Sequence, residues 1–175
     1  PGVSMTGGLV GNNAGIIRQS YATGAVSGQD TSGGLVGANN GLIDESYASG
    51  AVTGVDLLGG IAGENDAGGS IVNSFWNTET SGLTDGVGTN NGTDNSTGLT
   101  SAQFTNLASF AGWNINADGS GNAVWRIYEG QTSPLLRTFL TDIEVTAYDD
   151  VATYNGGAYS GRHQINGTSG NGVRY

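Results

Sequence analysis

GGLVGNNAGIIRQSYATGAVSG, residues 7 to 28, returns 26 residues later as GGLVGANNGLIDESYASGAVTG, residues 33 to 54. It begins a third time at Gly59 as GGIAGENDAGGSIVNSFWNTETSG. A period of about 20 to 50 residues marks a solenoid, propeller or array, because one such unit cannot bury its own apolar side chains. Helical units fit poorly: each copy holds about six Gly, carries β-branched residues and lacks a 3.6-residue apolar period. Short runs divided by Gly and Asn turns (GLVG, GIIRQSYA, GAVSG) read instead as three strands in one lap of a parallel β-helix.

Stacked laps lie about 4.8 Å apart and place equivalent residues above one another. Alignment therefore predicts ladders of Leu9, Leu35 and Ile61; of Val10, Val36 and Ala62; of Ile17, Ile43 and Ile71; of Tyr21, Tyr47 and Phe75; and of Val26 and Val52. Positions whose charge changes between copies should face water: Arg18, Asp44 and Val72, and Gln19, Glu45 and Asn73. The glycines suit corners that need φ > 0 or close backbone approach. Asn12-Asn13 and Asn39-Asn40 suit turns and could form amide ladders. The tyrosines would form a carbohydrate-stacking stripe only if they faced outward.

Composition narrows the partners. The 175 residues include 33 Gly, five Arg, no Lys, no Cys and 15 acidic residues, for a net charge of −10. So few cations cannot neutralise a row of phosphates, which argues against nucleic acid and against an anionic membrane surface. No apolar run nears the roughly 18 residues of a membrane span, so no membrane insertion is expected. The lack of Cys excludes a disulfide framework. Pro1 opens in mid-pattern, which reads as the start of a processed or excised fragment.

The repeated stretch resembles the GLUG repeat, named for its G-L-apolar-G core, of large filamentous-haemagglutinin-like bacterial exoproteins secreted by the two-partner route. SFWNTETSGLT (74 to 84), GLTSAQF (98 to 104), FAGWNI (110 to 115) and VWRIYEGQTSPLLR (124 to 137) resemble the same proteins. The resemblance covers roughly residues 7 to 137. It implies a β-helical adhesin or matrix scaffold, outside the cell or on the bacterial surface, with no fixed ligand.

The third copy breaks the rule. It has two extra residues around Asp66-Ala67, and no regular 26-residue return is visible after it. Residues 1–79 are expected to form the coils. Residues 80–98, rich in Gly, Thr and Asn, read as a surface loop. Thr100 to Gln103 has the form of a capping box, predicting a short helix through about Phe110. GWNIN and VWRIY flank ADGSGNA as a hairpin. A C-terminal cap built from these elements, ending at Pro134, would cover the open end of the helix with Trp76, Phe104, Phe110, Trp113 and Trp125. Residues 80–137 are thus loop and cap.

Residues 138–175 change texture. Ile143, Val145 and Ala147 alternate with polar residues as a half-buried strand. The segment resembles the opening strands of MBG-type Ig-like modules, yet is too short for a sandwich of about 70 to 100 residues. Ser4 and its neighbours resemble the end of a lap, so the first coil is expected to present a bare stacking face, met either by further coils upstream in a longer protein or by another subunit. Head-to-tail self-association through that face and the strand at 143 to 147 is the alternative to adhesion.

Catalysis finds little in these residues. Asp44-Glu45 and Asp149-Asp150 are adjacent, so strand geometry would point them apart. Glu64 and Asp66 are the other acidic pair, His163 lies in the irregular tail, and no Ser-His-Asp or G-x-S-x-G pattern occurs. A polysaccharide-processing enzyme is the third and least supported reading. No cofactor is expected. Asp118, Ser120 and Asn122 offer oxygens at alternate positions for Ca²⁺, but no bidentate Glu follows, and a turn explains the same residues. Asn91, Asn95 and Asn166 head glycosylation sequons, which the bacterial resemblance makes chance matches. The expected partners are the chain itself, or glycans or proteins of a host or neighbouring cell.

Overall fold

Gly33 shows why the repeat is written as it is. A Cβ there would run into the carbonyl oxygen of Val36, so the corner closes only around a hydrogen. Its φ is ordinary; the described glycines with positive φ all lie outside the regular copies, from Gly82 onward. Close approach, not left-handed backbone, is what the repeated glycines provide.

The computed structural model describes residues 4–141, 144–147 and 163–166. The chain parts into two units, Pro1–Arg137 and Thr138–Tyr175. The first is a parallel β-solenoid of four coils. Coil one holds β1 (Met5–Gly7), β2 (Val10–Asn13), β3 (Ile16–Arg18), β4 (Tyr21–Ala22) and β5 (Val26–Ser27). Coil two repeats these as β6 (Thr31–Gly33), β7 (Val36–Asn39), β8 (Leu42–Asp44), β9 (Tyr47–Ala48) and β10 (Val52–Thr53). Coil three has β11 (Leu58–Gly59), β12 (Ala62–Asn65), β13 (Ser70–Val72) and β14 (Phe75–Asn77), then a one-turn helix, α1 (Thr78–Ser81). Each lap thus has more and shorter strands than the three expected. The run IIRQSYA is split because Gln19, Glu45 and Asn73 each take positive φ, 50°, 45° and 45°, and turn the corner.

The stack is in register throughout: Val10 lies on Val36 and Val36 on Ala62, Ile17 on Ile43 and Ile43 on Ile71, Tyr21 on Tyr47 and Tyr47 on Phe75. Leu35, Ile43, Ile61 and Ile71 are fully buried in the bore. Each such side chain contributes about 1.5–3 kcal/mol through burial. Leu9, in the first coil, is 45% exposed. The two extra residues of the third copy form a turn in which the Gly69 N–H donates to the Asp66 carbonyl.

Residues 80–98 are not a surface loop. After α1 they wind a fourth coil, β15 (Val87–Asn90), β16 (Thr93–Asp94) and β17 (Thr97–Leu99), each strand parallel to its counterpart in coil three. Here Val87 lies on Ala62, Asp94 on Ile71 and Gly98 on Trp76. The return does come, shortened by one residue at Val87 and by more at β16 and β17. It escapes detection because the coil carries Gly86, Asp94 and Gly98 where its neighbours carry bulk.

The expected cap also differs. The capping box is present: Thr100 Oγ1 accepts from the Gln103 N–H, and the Gln103 side chain accepts from the Thr100 N–H. The helix, α2 (Ser101–Phe104), stops at Phe104, and a separate 3₁₀ turn, Leu107–Phe110, restarts under an Asn106 cap. Residues 114 to 127 are no hairpin. β18 (Ile115–Asn116) runs parallel to β19 (Trp125–Arg126), and the antiparallel partner of β19 is β20 (Leu135–Leu136), beyond Pro134.

In the second unit, β21 (Glu144–Ala147) pairs antiparallel with β22 (His163–Asn166), Val145 opposite Ile165 and Ala147 opposite His163. Val145 and Ala147 thus lie in the strand expected of them, and His163 in a paired strand rather than an irregular tail. Ile143, Asp149 and Asp150 fall outside the described residues.

Candidate functional surface

Two separate apolar clusters organise the solenoid. One fills the bore: Ile17, Leu35, Ile43, Ile61, Ile71 and Trp76 are its larger members. The other lies on the flank, where Tyr47 and Phe75 pack beneath Phe104, Phe110, Trp113 and Trp125. The aromatic ladder therefore points out of the bore, and residues 100–136 are laid over it. The cap covers a side of the stack, not its end.

Tyr21 and Tyr47 stack with ring centroids 5.2 Å apart and planes 8° from parallel. Trp113 and Trp125 pack 4.9 Å apart above them. Tyr47 is fully buried and donates its hydroxyl to the Pro134 carbonyl at 2.8 Å. The Trp113 indole N–H donates to the Asn73 carbonyl at 2.7 Å, pinning the flank to a left-handed corner of coil three. These contacts correct two expectations. Tyr47 cannot stack on a sugar, since the chain's own aromatics occupy its face. Trp76 is not part of the flank: it sits in the bore, its Nε1 donating to the Leu83 carbonyl at 3.3 Å.

Polar ladders run beside the apolar ones. Asn13 Nδ2 donates to Asn39 Oδ1, Asn39 to Asn65 and Asn65 to Asn90, at 2.7, 2.8 and 2.8 Å. The first three asparagines are buried. Their Nδ2 groups also reach backbone carbonyls: Asn13 to Leu42, Asn39 to Gly41 and Asn65 to Thr93. Ser46 and Ser74, both fully buried, form a second ladder: the Ser20 N–H donates to Ser46 Oγ and the Ser46 N–H to Ser74 Oγ. The signal for it was in the sequence, since Ser precedes the aromatic in all three copies (SY, SY, SF).

Outside, the variable positions face solvent or pair between coils. Arg18 Nε meets Asp44 Oδ2 at 3.0 Å, with the Arg18 side chain 53% exposed. Gln19 donates to Glu45 at 2.8 Å, and Asn73 to Asp44 at 3.1 Å. The Asp44-Glu45 pair is thus spent on holding coils together. The surface also carries a shallow hollow of about 330 Å³ lined by Asp30, Thr31, Asp56 and Leu57. Asp30 there accepts the Ser4 N–H at 2.8 Å. The two aspartates stand 26 residues apart, the repeat spacing itself, so the signal was available.

The loop at 116 to 122 is a turn. Asp118 accepts from both the backbone N–H and the hydroxyl of Ser120 at 2.9 Å, which in that order hold its carboxyl below the usual range. Gly119 and Gly121 take φ of 74° and 62°. Asn122 is exposed. Among the described residues, no group of three or more His, Cys, Asp or Glu converges to hold a metal ion. No helix among them is long and apolar enough to cross a membrane.

Fold and surface define an all-β parallel solenoid with an aromatic flank. No family model matches the chain, and neither the curated proteins nor the solved structures gave a match.

Proposed function

We propose that this chain is a non-enzymatic scaffold segment of an extracellular bacterial surface protein, serving adhesion or matrix building. The observation that supports it is the division of labour within each lap. Residues repeated between copies are consumed by the ladders that hold the coils, while outward positions change from Arg18 to Asp44 to Val72. An interior held constant beneath a varied exterior suits a rod that presents surface. The resemblance of GGLVGNNAGIIRQSYATGAVSG to the GLUG repeat of surface exoproteins agrees with it. The contact surface on this reading comprises the outward faces of the coils and the hollow at Asp30 and Asp56, and the partner is a glycan or protein of another cell.

The test is attachment. Beads carrying the chain should bind glycan arrays or cell surfaces, and Asp30→Asn with Asp56→Asn should change that binding while the far-ultraviolet spectrum stays the same. Beads that bind nothing above a bare-bead control would overturn the reading.

A filament subunit is the second reading. Leu9 is 45% exposed, whereas its stack-mates Leu35 and Ile61 are fully buried. On that reading particle length grows with protein concentration and Leu9→Asp abolishes the growth.

A further inference from the structure

The bore runs along four registers, and coil four breaks three of them. Leu9, Leu35 and Ile61 are followed by Gly86, whose carbonyl accepts the Ile61 N–H. Ile17, Ile43 and Ile71 are followed by Asp94. Ala22 and Ala48 are followed by Trp76 and then by Gly98. The last register explains the others. A Trp stands in coil three where coils one and two have Ala, and it fits because coil four has Gly at both adjoining positions. A Cβ on Gly86 would lie 2.7 Å from Trp76 Cζ3, and one on Gly98 would lie 2.8 Å from Cζ2. The indole therefore spans from coil three into coil four and fills space that coil four leaves empty.

The polar side of coil four points the same way. β15, β16 and β17 are the outermost strands of their sheets, and Asn90, Thr93, Asn95 and Thr97 are exposed. An open strand edge invites another strand, and proteins block it with short strands and with charge placed where a stacking partner would need apolar surface. Asp94 meets that description: it occupies the register of three isoleucines, and its Oδ1 accepts only the nearby Ser96 N–H at 2.9 Å among the described hydrogen bonds.

We infer that coil four is a terminator: Trp76 plugs the bore and Asp94 denies the next coil an apolar seat, so nothing stacks end-on beyond β15–β17. This rests on the fold alone and holds whether the chain is an adhesin or a filament subunit.

The experiment restores the regular bore in the full chain by combining Trp76→Ala, Gly86→Leu, Asp94→Ile and Gly98→Ala. A milder variant, Asp94→Ile alone, leaves the plug in place should the fourfold variant fail to fold. Hydrogen exchange of residues 87–99, followed by mass spectrometry across a hundredfold range of protein concentration, reads end-on contact directly. The wild-type chain is expected to show concentration-independent exchange there. Asp94→Ile should show at least several-fold slowing at high concentration, and the fourfold variant more, with light scattering reporting head-to-tail oligomers. The inference is overturned if wild-type residues 87–99 become protected as concentration rises. A folded Asp94→Ile chain whose exchange and size stay unchanged overturns it equally.

Discussion

Asn13 donates its side-chain amide to Asn39 across one lap of the solenoid, at 2.7 Å and out of contact with water. Asn39 passes the same bond on to Asn65 at 2.8 Å. Each central amide thus gives and receives, and its Nδ2 also serves a backbone carbonyl, so no buried polar atom of the ladder lacks a partner. A satisfied buried network specifies register; a broken one leaves desolvated groups unpaired.

Asn39→Ala removes two amide bonds and strands the Asn65 oxygen in the interior. An unmade buried hydrogen bond costs about 1–3 kcal/mol for each group left behind, so a loss of about 2–4 kcal/mol is expected in urea denaturation. Asn90→Ala, at the exposed end of the same ladder, should lose less than about 1 kcal/mol. Equal losses at the two positions would show that burial is not what makes the ladder matter.

Much of this architecture was written in the spacing. Residues 26 apart with matching apolar type had to stack, and Val10 on Val36 or Ile17 on Ile43 followed directly. The asparagine ladder was foreshadowed by Asn13 and Asn39, although its upper half at Asn65 and Asn90 was not. Side-chain direction was less legible. Tyr21, Tyr47 and Phe75 repeat as faithfully as the isoleucines, yet they lie on the outer flank, because repetition reports stacking and says nothing of which side of the strand a residue takes.

Coil four was hidden for a different reason. TNNGTDNSTG has the composition of a loop, and nothing local announces that an indole from Trp76 supplies the bulk its own residues lack. The false hairpin has a similar cause. ADGSGNA reads as a turn, and it is one, with Gly119 and Gly121 at positive φ. The chain beyond it nevertheless returns parallel to β18, and the antiparallel partner of β19 comes from beyond Pro134, a long-range pairing that no local pattern encodes.

Trp113 is placed to distinguish packing from anchoring. Trp113→Phe keeps an aromatic body on the flank and deletes only the bond to the Asn73 carbonyl. A loss near 1 kcal/mol is expected for the hydrogen bond, plus a smaller one for the reduced ring. Trp113→Ala should lose about 3–5 kcal/mol, as for other buried aromatics. Calorimetric unfolding of the two variants separates these contributions.

Arg18 and Asp44 form the described solenoid's one salt bridge, with the arginine side chain 53% exposed. Exposed ion pairs give roughly 0–1 kcal/mol and are screened by salt. Arg18→Ala should therefore shift the urea midpoint only slightly, and the shift should vanish near 1 M salt. A larger, salt-insensitive loss would mean that the arginine stem, not its charge, holds coils one and two.

Tyr47 gives the chain an alkaline limit. Burial pushes its hydroxyl from 10.0 up to about 12, against a small opposing effect of the Ser133 hydroxyl, with Tyr21 adding to the rise. The folded state thus keeps its proton while the unfolded chain loses it. The resulting stability is fully present below pH 10, declines as pH rises past the unfolded value, and is gone above about pH 12. Two pKa units correspond to about 3 kcal/mol at most. Tyr47→Phe cannot ionise, so its stability should fall less steeply between pH 10 and 12 than that of the wild type. At pH 7 the same variant should be weaker by about 1 kcal/mol, for the lost bond to the Pro134 carbonyl. The two curves should converge or cross as alkali is added. Parallel curves from pH 7 to 12 would show that another group sets the alkaline transition.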